Sequence, residues 1–133
     1  MKFRYKRYNF GFLRPVIPVT LTINGQPIPY EALVDSGADI CIFDAQLAEL
    51  AGLDITTGSE RLVAGITGQA ERQYLHQVIV NVGGWEHTIE AGFLSNIGRH
   101  GYGVLGQLGF FEFFKVTFDF VKEEVDVKPR PTK

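Results

Sequence analysis

The clearest candidate for chemistry lies in one short segment, Asp35-Ser36-Gly37-Ala38, which is followed by a second acid, Asp39. An apolar run ends there on an aspartate, and a strand in that position fixes where the carboxylate lies. The glycine lets the backbone come close enough for its amides to donate hydrogen bonds to the carboxylate, and the serine hydroxyl can anchor the turn. These properties suit an active-site turn in which a carboxyl group works as an acid or a base. An ordinary Asx turn between strands has the same residues, and for an isolated Asp-Ser-Gly it is the commoner explanation.

Short apolar runs separated by glycines predict a chain made mainly of strands. Asn24-Gly25 is the strongest hairpin signal, and Gly65-Ile66-Thr67-Gly68 predicts the tip of a longer hairpin. The predicted strands are residues 16–23, 30–34, 61–66, 73–82, 85–94 and 115–120. In the last of these, Val116, Phe118 and Phe120 fall on one face. Two valines, at 125 and 127, are placed to pair with that strand.

Helix is predicted in two short places. Asp44 can cap the first helix and Gly52 can end it. In between, Leu47 and Leu50 are predicted to lie on one face. Residues 107–114 predict the second short helix.

Length, charge and cysteine content exclude several classes of protein. A chain of 133 residues suits a single domain over 1–133, with a core at about 14–128 and a polar, frayed tail at 129–133. Thirteen basic against fifteen acidic residues give a net charge of −2, which argues against binding nucleic acid through phosphate contacts. The single cysteine, Cys41, is expected to be a buried structural thiol and excludes a disulfide framework. No apolar run approaches the about 20 residues that cross a bilayer. We therefore expect a cytoplasmic protein that binds neither nucleic acid nor membrane.

Four motifs in a fixed order resemble those of the retropepsin-like aspartic proteases, the single-domain relatives of retroviral proteases. They are Asp35-Ser36-Gly37-Ala38, the glycine-tipped segment 64–68, Val104-Leu105-Gly106 and the closing strand 116–120. The resemblance covers about residues 14–120 and looks closer to compact prokaryotic members than to viral ones. It implies an all-β fold, a closed barrel with a flap hairpin and one or two short helices.

The sequence departs from the family pattern in three places. Gln107 stands where the family often has an arginine that supports the active-site turn, and Ile40 stands where some retroviral members have a second acid. The chain also continues past the usual final strand, from 121 to 133. The usual family dimer interleaves the chain termini, and for this chain the arrangement of the termini at a dimer interface stays open.

The resemblance also implies roles for individual residues. Asp35 would be the catalytic acid, with Ser36 and Gly37 completing the catalytic turn. The flap would close over an extended peptide, and the backbone of that peptide would bind Gly37 and Asp39. The implied substrate-binding residues are Leu33, Ala38, Asp39, Ile42, Gly65, Ile66, Thr67, Tyr102 and Val104.

The chemistry of aspartic proteolysis predicts a homodimer. It uses two carboxylates that share one proton, and this chain has one Asp-Ser-Gly. A two-fold axis would bring Asp35 of each chain together to cut peptide bonds, with no metal and no cofactor. Two other readings remain open: a protease-like domain that only dimerises or binds peptides, and a monomeric β-barrel that binds a small ligand.

Overall fold

The computed structural model describes residues 1–8, 11–64, 70–95, 97 and 101–131, and strands dominate it. The strands are β1 (Lys2–Arg4), β2 (Lys6–Arg7), β3 (Leu13–Arg14), β4 (Val16–Ile23), β5 (Gln26–Val34), β6 (Ile42–Asp44), β7 (Ser59–Ala64), β8 (Ala70–Val82), β9 (Trp85–Leu94), β10 (Gly103–Leu105), β11 (Phe114–Asp119) and β12 (Glu124–Pro129). The helical elements include α1 (Ala45–Leu50) and a 3₁₀ turn (Ile55–Thr57).

The main sheet closes on itself as a barrel. Its strands follow the order β4-β5-β10-β6-β9-β8, and β4 also pairs with β8, which completes the ring. β7 adds to the outside of β8 as the second arm of a long antiparallel hairpin. The predicted all-β closed barrel is confirmed. The tip expected at 65–68 lies outside the described residues.

Local patterning explains the first hairpin. In β4, five apolar side chains are buried, and polar or proline positions alternate with most of them. Asn24 and Gly25 both have positive φ, at 50° and 75°, as the tight turn between β4 and β5 requires. The turn pairs Ile23 with Gln26, so the predicted hairpin is confirmed.

The core fills the barrel and the space beneath α1 with aliphatic and aromatic side chains. Phe43, Phe93, Phe110 and Phe114 are among its largest fully buried members. Truncating one such ring to alanine costs about 3–5 kcal/mol, because it removes apolar contact and leaves a cavity. The core therefore holds the strand ends of the barrel in fixed positions.

The predicted helix forms with the expected cap and end. The Asp44 carboxylate accepts a hydrogen bond from the backbone N–H of Gln46 at 3.0 Å. Gly52, with φ at 74°, follows the helix in the left-handed conformation typical of a helix end. Its N–H donates to the carbonyl of Glu49 at 3.0 Å.

Leu47 and Leu50, which are predicted to lie on one face of the helix, are not both buried. Leu47 is 8% exposed, whereas Leu50 is 78% exposed. The buried stripe of α1 includes Ala45 and Ala48. Successive helical residues are about 100° apart, so Leu50 lies about 160° around the helix from Ala48.

The prediction of a second helix at 107–114 is wrong. Gly109 has a φ of +96°, which a helix cannot contain, and the segment forms successive turns. The N–H of Phe111 donates five residues back to the carbonyl of Gly106, at 3.2 Å. Apolar spacing did not reveal the left-handed glycine inside the segment.

A second, three-stranded sheet has the order β1-β12-β11. The pairing expected for Val125 and Val127 is confirmed, and both are fully buried. The apolar face predicted for the preceding strand is covered only in part, since Phe118 is 42% and Phe120 is 67% exposed. β1 pairs with β12 of its own chain, so both terminal segments are used within one chain.

The tail is ordered further than its composition predicted. β12 runs to Pro129, and the N–H of Arg130 donates to the carbonyl of Phe113 at 2.8 Å. Backbone pairing holds these residues, and side-chain polarity gave no sign of it. No described helix is long and apolar enough to span a membrane.

Candidate active site

Asp35 lies where β5 leaves the barrel, and backbone hydrogen bonds hold it from both sides. β10 runs parallel to β5, with Leu105 opposite Val34. The N–H of Asp35 donates to the carbonyl of Leu105 at 3.0 Å. The N–H of Val34 donates to the carbonyl of Pro15 at 2.9 Å. The half-buried carboxylate of Asp35 therefore starts from a rigid point.

A tight turn orients the carboxylate. The N–H of Gly37 donates to Oδ1 of Asp35 at 2.9 Å, and the N–H of Ala38 donates to the carbonyl of Asp35 at 3.2 Å. A Cβ at Gly37 would lie 3.2 Å from Oδ1, so the glycine permits this close approach. Within the described part of the chain, Oδ2 accepts no hydrogen bond. One carboxylate oxygen is thus fixed, and the other is left for a water or a substrate.

Gln107 clamps the turn from the other side. Its side-chain Nε2 donates to the carbonyl of Ser36 at 2.6 Å across 71 residues of sequence. Its backbone N–H donates to the carbonyl of Ala38 at 2.8 Å. Ser36 thus contributes its carbonyl to the clamp. The sequence marked Gln107 only as a departure from a family arginine, whereas the structure makes it a direct support of the turn.

Gly106 is required because no side chain fits at its position. A Cβ there would lie 2.3 Å from the carbonyl oxygen of Ile40 and 2.7 Å from that of Ala38. Both contacts are with backbone, which cannot swing away as a flexible side chain can. The motif Val104-Leu105-Gly106 therefore places its glycine directly against the candidate catalytic turn.

Cys41 links the same two segments from beneath. Its buried Sγ accepts a hydrogen bond from the N–H of Gly106 at 3.4 Å and donates to the carbonyl of Leu108 at 3.5 Å. Burial raises the pKa of the thiol to about 11, and the hydrogen bond from Gly106 opposes this shift. A thiol that stays protonated at neutral pH is a poor nucleophile. This agrees with the structural role predicted for it.

Three of the predicted substrate-binding residues form a row across adjacent strands. Val104 pairs with Leu33 on one side and with Ile42 on the other, and all three are half-buried. Leu33 lies two residues before Asp35 and so on the same side of the strand. The row gives the site an apolar floor beside the carboxylate.

The remaining predicted residues divide into two groups. Ala38 is half-buried and Asp39 exposed on the turn, while half-buried Tyr102 lies just before β10 with its ring 5.3 Å from that of Tyr8. The predicted flap residues Gly65, Ile66 and Thr67 lie outside the described residues.

A cavity of about 450 Å³ opens beside the turn. Ile40 and Leu108 line it, and Arg61, Glu90 and Glu112 add charge to the lining. A larger cavity of about 520 Å³ lies against Phe3 and Pro18, and none of its lining residues belongs to the predicted site. No group of three or more potential metal ligands occurs among the residues that the structure describes.

Comparisons with known proteins agree with the architecture. The aspartyl protease family model matches residues 19–108. A crystal structure of a retropepsin-like aspartic protease from Rickettsia conorii matches with a TM-score of 0.64 and 20% identity, over 94% of this chain and 97% of that one. EIAV protease complexed with the inhibitor HBY-793 matches with a TM-score of 0.53 and 18% identity, over 77% of this chain and 88% of that one. No curated protein sequence gives a significant match. The predicted retropepsin-like fold is confirmed.

Proposed function

Since the chain belongs to the aspartyl protease family, we propose that it is a homodimeric endopeptidase in which Asp35 of each chain supplies one catalytic carboxylate. The observation that carries the proposal is the oriented carboxylate of Asp35. Its Oδ1 is held by Gly37, and its turn is clamped by Gln107. Ser36 and Gly37 complete the catalytic turn.

The second carboxylate comes from a second chain, because Asp39 is assigned to the peptide backbone and the next two aspartates along the chain have structural tasks. Asp44 caps α1 through Gln46, and Asp54 accepts hydrogen bonds from both the N–H and the hydroxyl of Thr56. The hydrogen bond from the Thr56 hydroxyl lowers the pKa of Asp54 most, and the one from the Thr56 N–H lowers it further. Neither aspartate is held in an Asp-Ser-Gly turn. A two-fold axis beside Asp35 supplies an identical carboxylate in an identical turn.

The pair of carboxylates performs general acid and general base catalysis. They share one proton, so one is ionised while the other is protonated. The ionised carboxylate takes a proton from a bound water, whose oxygen attacks the carbonyl carbon of the peptide. The protonated carboxylate polarises that carbonyl and then gives its proton to the leaving nitrogen. The products are a carboxylic acid and an amine, without a covalent enzyme intermediate.

The substrate is an extended polypeptide with apolar side chains at the cleavage site. Leu33, Ile42 and Val104 form the apolar floor, and Ala38 and Tyr102 border it. The backbone at Gly37 and the side chain of Asp39 bind the peptide backbone. The flap residues 65–67 close over the peptide and exclude water. We further propose a cytoplasmic location, because a chain with one cysteine suits a reducing compartment.

The test compares wild type with Asp35→Asn on casein and on a library of apolar peptides, from pH 3 to pH 8. Asp54→Asn is the matched control, since it makes the same chemical change at an exposed aspartate. With equal circular dichroism spectra, we expect cleavage to be lost only in Asp35→Asn. Substantial cleavage by that variant would refute the assignment. Peptide binding without cleavage by the wild type would instead indicate a peptide-binding domain.

A further inference from the structure

Among the residues that the structure describes, no strand pairs with the outer edge of β11. β11 pairs with β12 on one side and ends the three-stranded sheet on the other. Its side chains alternate between a polar face with Lys115, Thr117 and Asp119 and an apolar face with Val116 and Phe118. An open strand edge presents unpaired backbone donors and acceptors and is a ready template for another strand.

The polar face of this strand is unfavourably paired within its own chain. Lys115 lies opposite Lys128 on β12, and Asp119 lies opposite Glu124. Like charges directly opposite each other across two strands are destabilising. Lys115 makes no salt bridge anywhere in the described ranges. Neither end of the strand therefore has an oppositely charged residue directly opposite it on β12.

The apolar face is incompletely covered as well. Val116 is half-buried and Phe118 is 42% exposed. Phe120 and Val121, in the turn after the strand, are 67% and 91% exposed. Exposed apolar side chains beside an open edge mark a surface for association.

We propose that a second copy of this chain pairs antiparallel with β11 about a two-fold axis at Thr117. This inference rests on the proposed function, which requires a second chain to supply the second Asp35. In this register Lys115 lies opposite Asp119 of the second copy, and Asp119 lies opposite its Lys115. On the other face, Val116 lies opposite Phe118 of the second copy, and the two-fold axis repeats this contact. The two three-stranded sheets join into one sheet across the dimer.

The charge pattern selects this register over its neighbours. A two-fold axis perpendicular to the sheet places residues of the same face opposite each other. The axis must therefore pass through a residue of β11, and the possible registers differ in which residue that is. An axis at Lys115 would pair two lysines, and an axis at Asp119 would pair two aspartates. An axis at Val116 would pair Lys115 with Thr117, and an axis at Phe118 would pair Asp119 with Thr117. Only the axis at Thr117 places both opposite charges together.

The termini of this chain support the same edge. β1 pairs with β12 of its own chain from Lys2 to Arg4, and the N-terminal nitrogen of Met1 donates to the carbonyl of Val127 at 2.9 Å. Interleaving the termini between two chains would break these contacts. Association through β11 keeps them intact.

The test reverses the two charges singly and together. Lys115→Asp places two acids opposite each other in the dimer, and the two-fold axis repeats the contact. Within one chain, however, the same change puts an acid opposite Lys128, which is favourable. We expect the dimer dissociation constant, measured by sedimentation, to rise about tenfold or more without a lower melting temperature. Asp119→Lys acts likewise, and the double variant Lys115→Asp with Asp119→Lys restores association.

Lys2→Asp is the matched control, because it makes the same charge change on the opposite edge of the same sheet. If Lys2→Asp weakened the dimer and Lys115→Asp did not, the proposal would be overturned in favour of the β1 edge. So would a dimer that is indifferent to Lys115→Asp, or a double variant that stays dissociated.

Association and catalysis are measured separately, so the two proposals can fail separately. Asp35→Asn is expected to associate as wild type does. A dimer with the predicted charge response but no peptide cleavage would refute the peptidase and keep the interface. Cleavage by a dimer without that response would refute only the interface.

Discussion

Replacing Gln107 by leucine tests whether the proposed catalytic turn, residues 35–38, is positioned from outside its own loop. The substitution removes the hydrogen bond from Nε2 to the carbonyl of Ser36, which is 2.6 Å long and exposed. The backbone N–H of residue 107 still reaches Ala38, so the turn keeps one of its two supports. Water can solvate the freed Ser36 carbonyl.

The expected loss of stability is small and the expected loss of activity is large. A solvent-accessible hydrogen bond contributes about 0.5–1 kcal/mol, which lowers the melting temperature by about 1–4 °C in a chain of this size. The carboxylate of Asp35 depends on the same turn through Gly37. A displacement of about 1 Å in such a group lowers the rate about 100-fold. We expect kcat to fall about 10- to 100-fold with little change in KM.

The assay measures steady-state kinetics on one apolar peptide, beside thermal melting of the same preparations. Gln107→Arg retains an N–H donor and is expected to keep most of the activity. Gln107→Glu has nearly the same shape without a donor and is expected to behave like the leucine variant. The reasoning is refuted if the leucine variant keeps full kcat, or if its activity falls only as far as its folded fraction.

Three further outcomes follow from the site. Gly106→Ala is expected to lose activity and about 1–3 kcal/mol of stability, because its Cβ meets backbone oxygens; Gly84→Ala, with no atom within 4 Å but a φ of +94°, is expected to lose stability through its backbone and to keep full kcat in the same assay. Alkylation of Cys41 should be slow at pH 8 and fast in denaturant, and stability should fall as the pH rises from about 9 towards 11, because the unfolded thiol ionises first; rapid native alkylation at pH 8 would contradict its burial. Peptide cleavage should be fastest at acidic pH and insensitive to chelator, because the shared proton is lost at high pH; a rate that rises steadily past neutral pH would contradict the two-carboxylate mechanism.

Local signals predicted those elements whose cause is local. The bounds of β4 and β9 agree with the predicted strands because alternation of apolar side chains is read within each strand. The turn at Asn24-Gly25 and the cap at Asp44 agree because each depends on the conformation of a few consecutive residues. The order of the four motifs predicted the fold for the same reason, since each motif is a contiguous segment.

The failures at Gln107 and Phe118 come from contacts that no short segment contains, whereas the failure at 107–114 comes from the backbone conformation of one glycine. The clamp by Gln107 joins residues 71 positions apart, so the sequence could show only an unexpected residue type. The segment 107–114 has helical spacing of apolar residues, but Gly109 is left-handed and its N–H donates to the side chain of Glu112 at 2.8 Å. The exposure of Phe118 follows from an open strand edge, which depends on the order of strands in the sheet.

Two separate parts of the chain are incomplete in the same way. Asp35 is an oriented carboxylate without the second carboxylate that the proposed chemistry requires, and β11 is a strand whose charges lie opposite like charges on β12. The barrel, in contrast, closes within one chain through the pairing of β4 with β8. A monomer should therefore stay folded while it loses both the second carboxylate and the neighbour of β11. Dilution of the wild type should then abolish peptide cleavage at concentrations where circular dichroism is unchanged, because association completes the site and is not needed for the barrel.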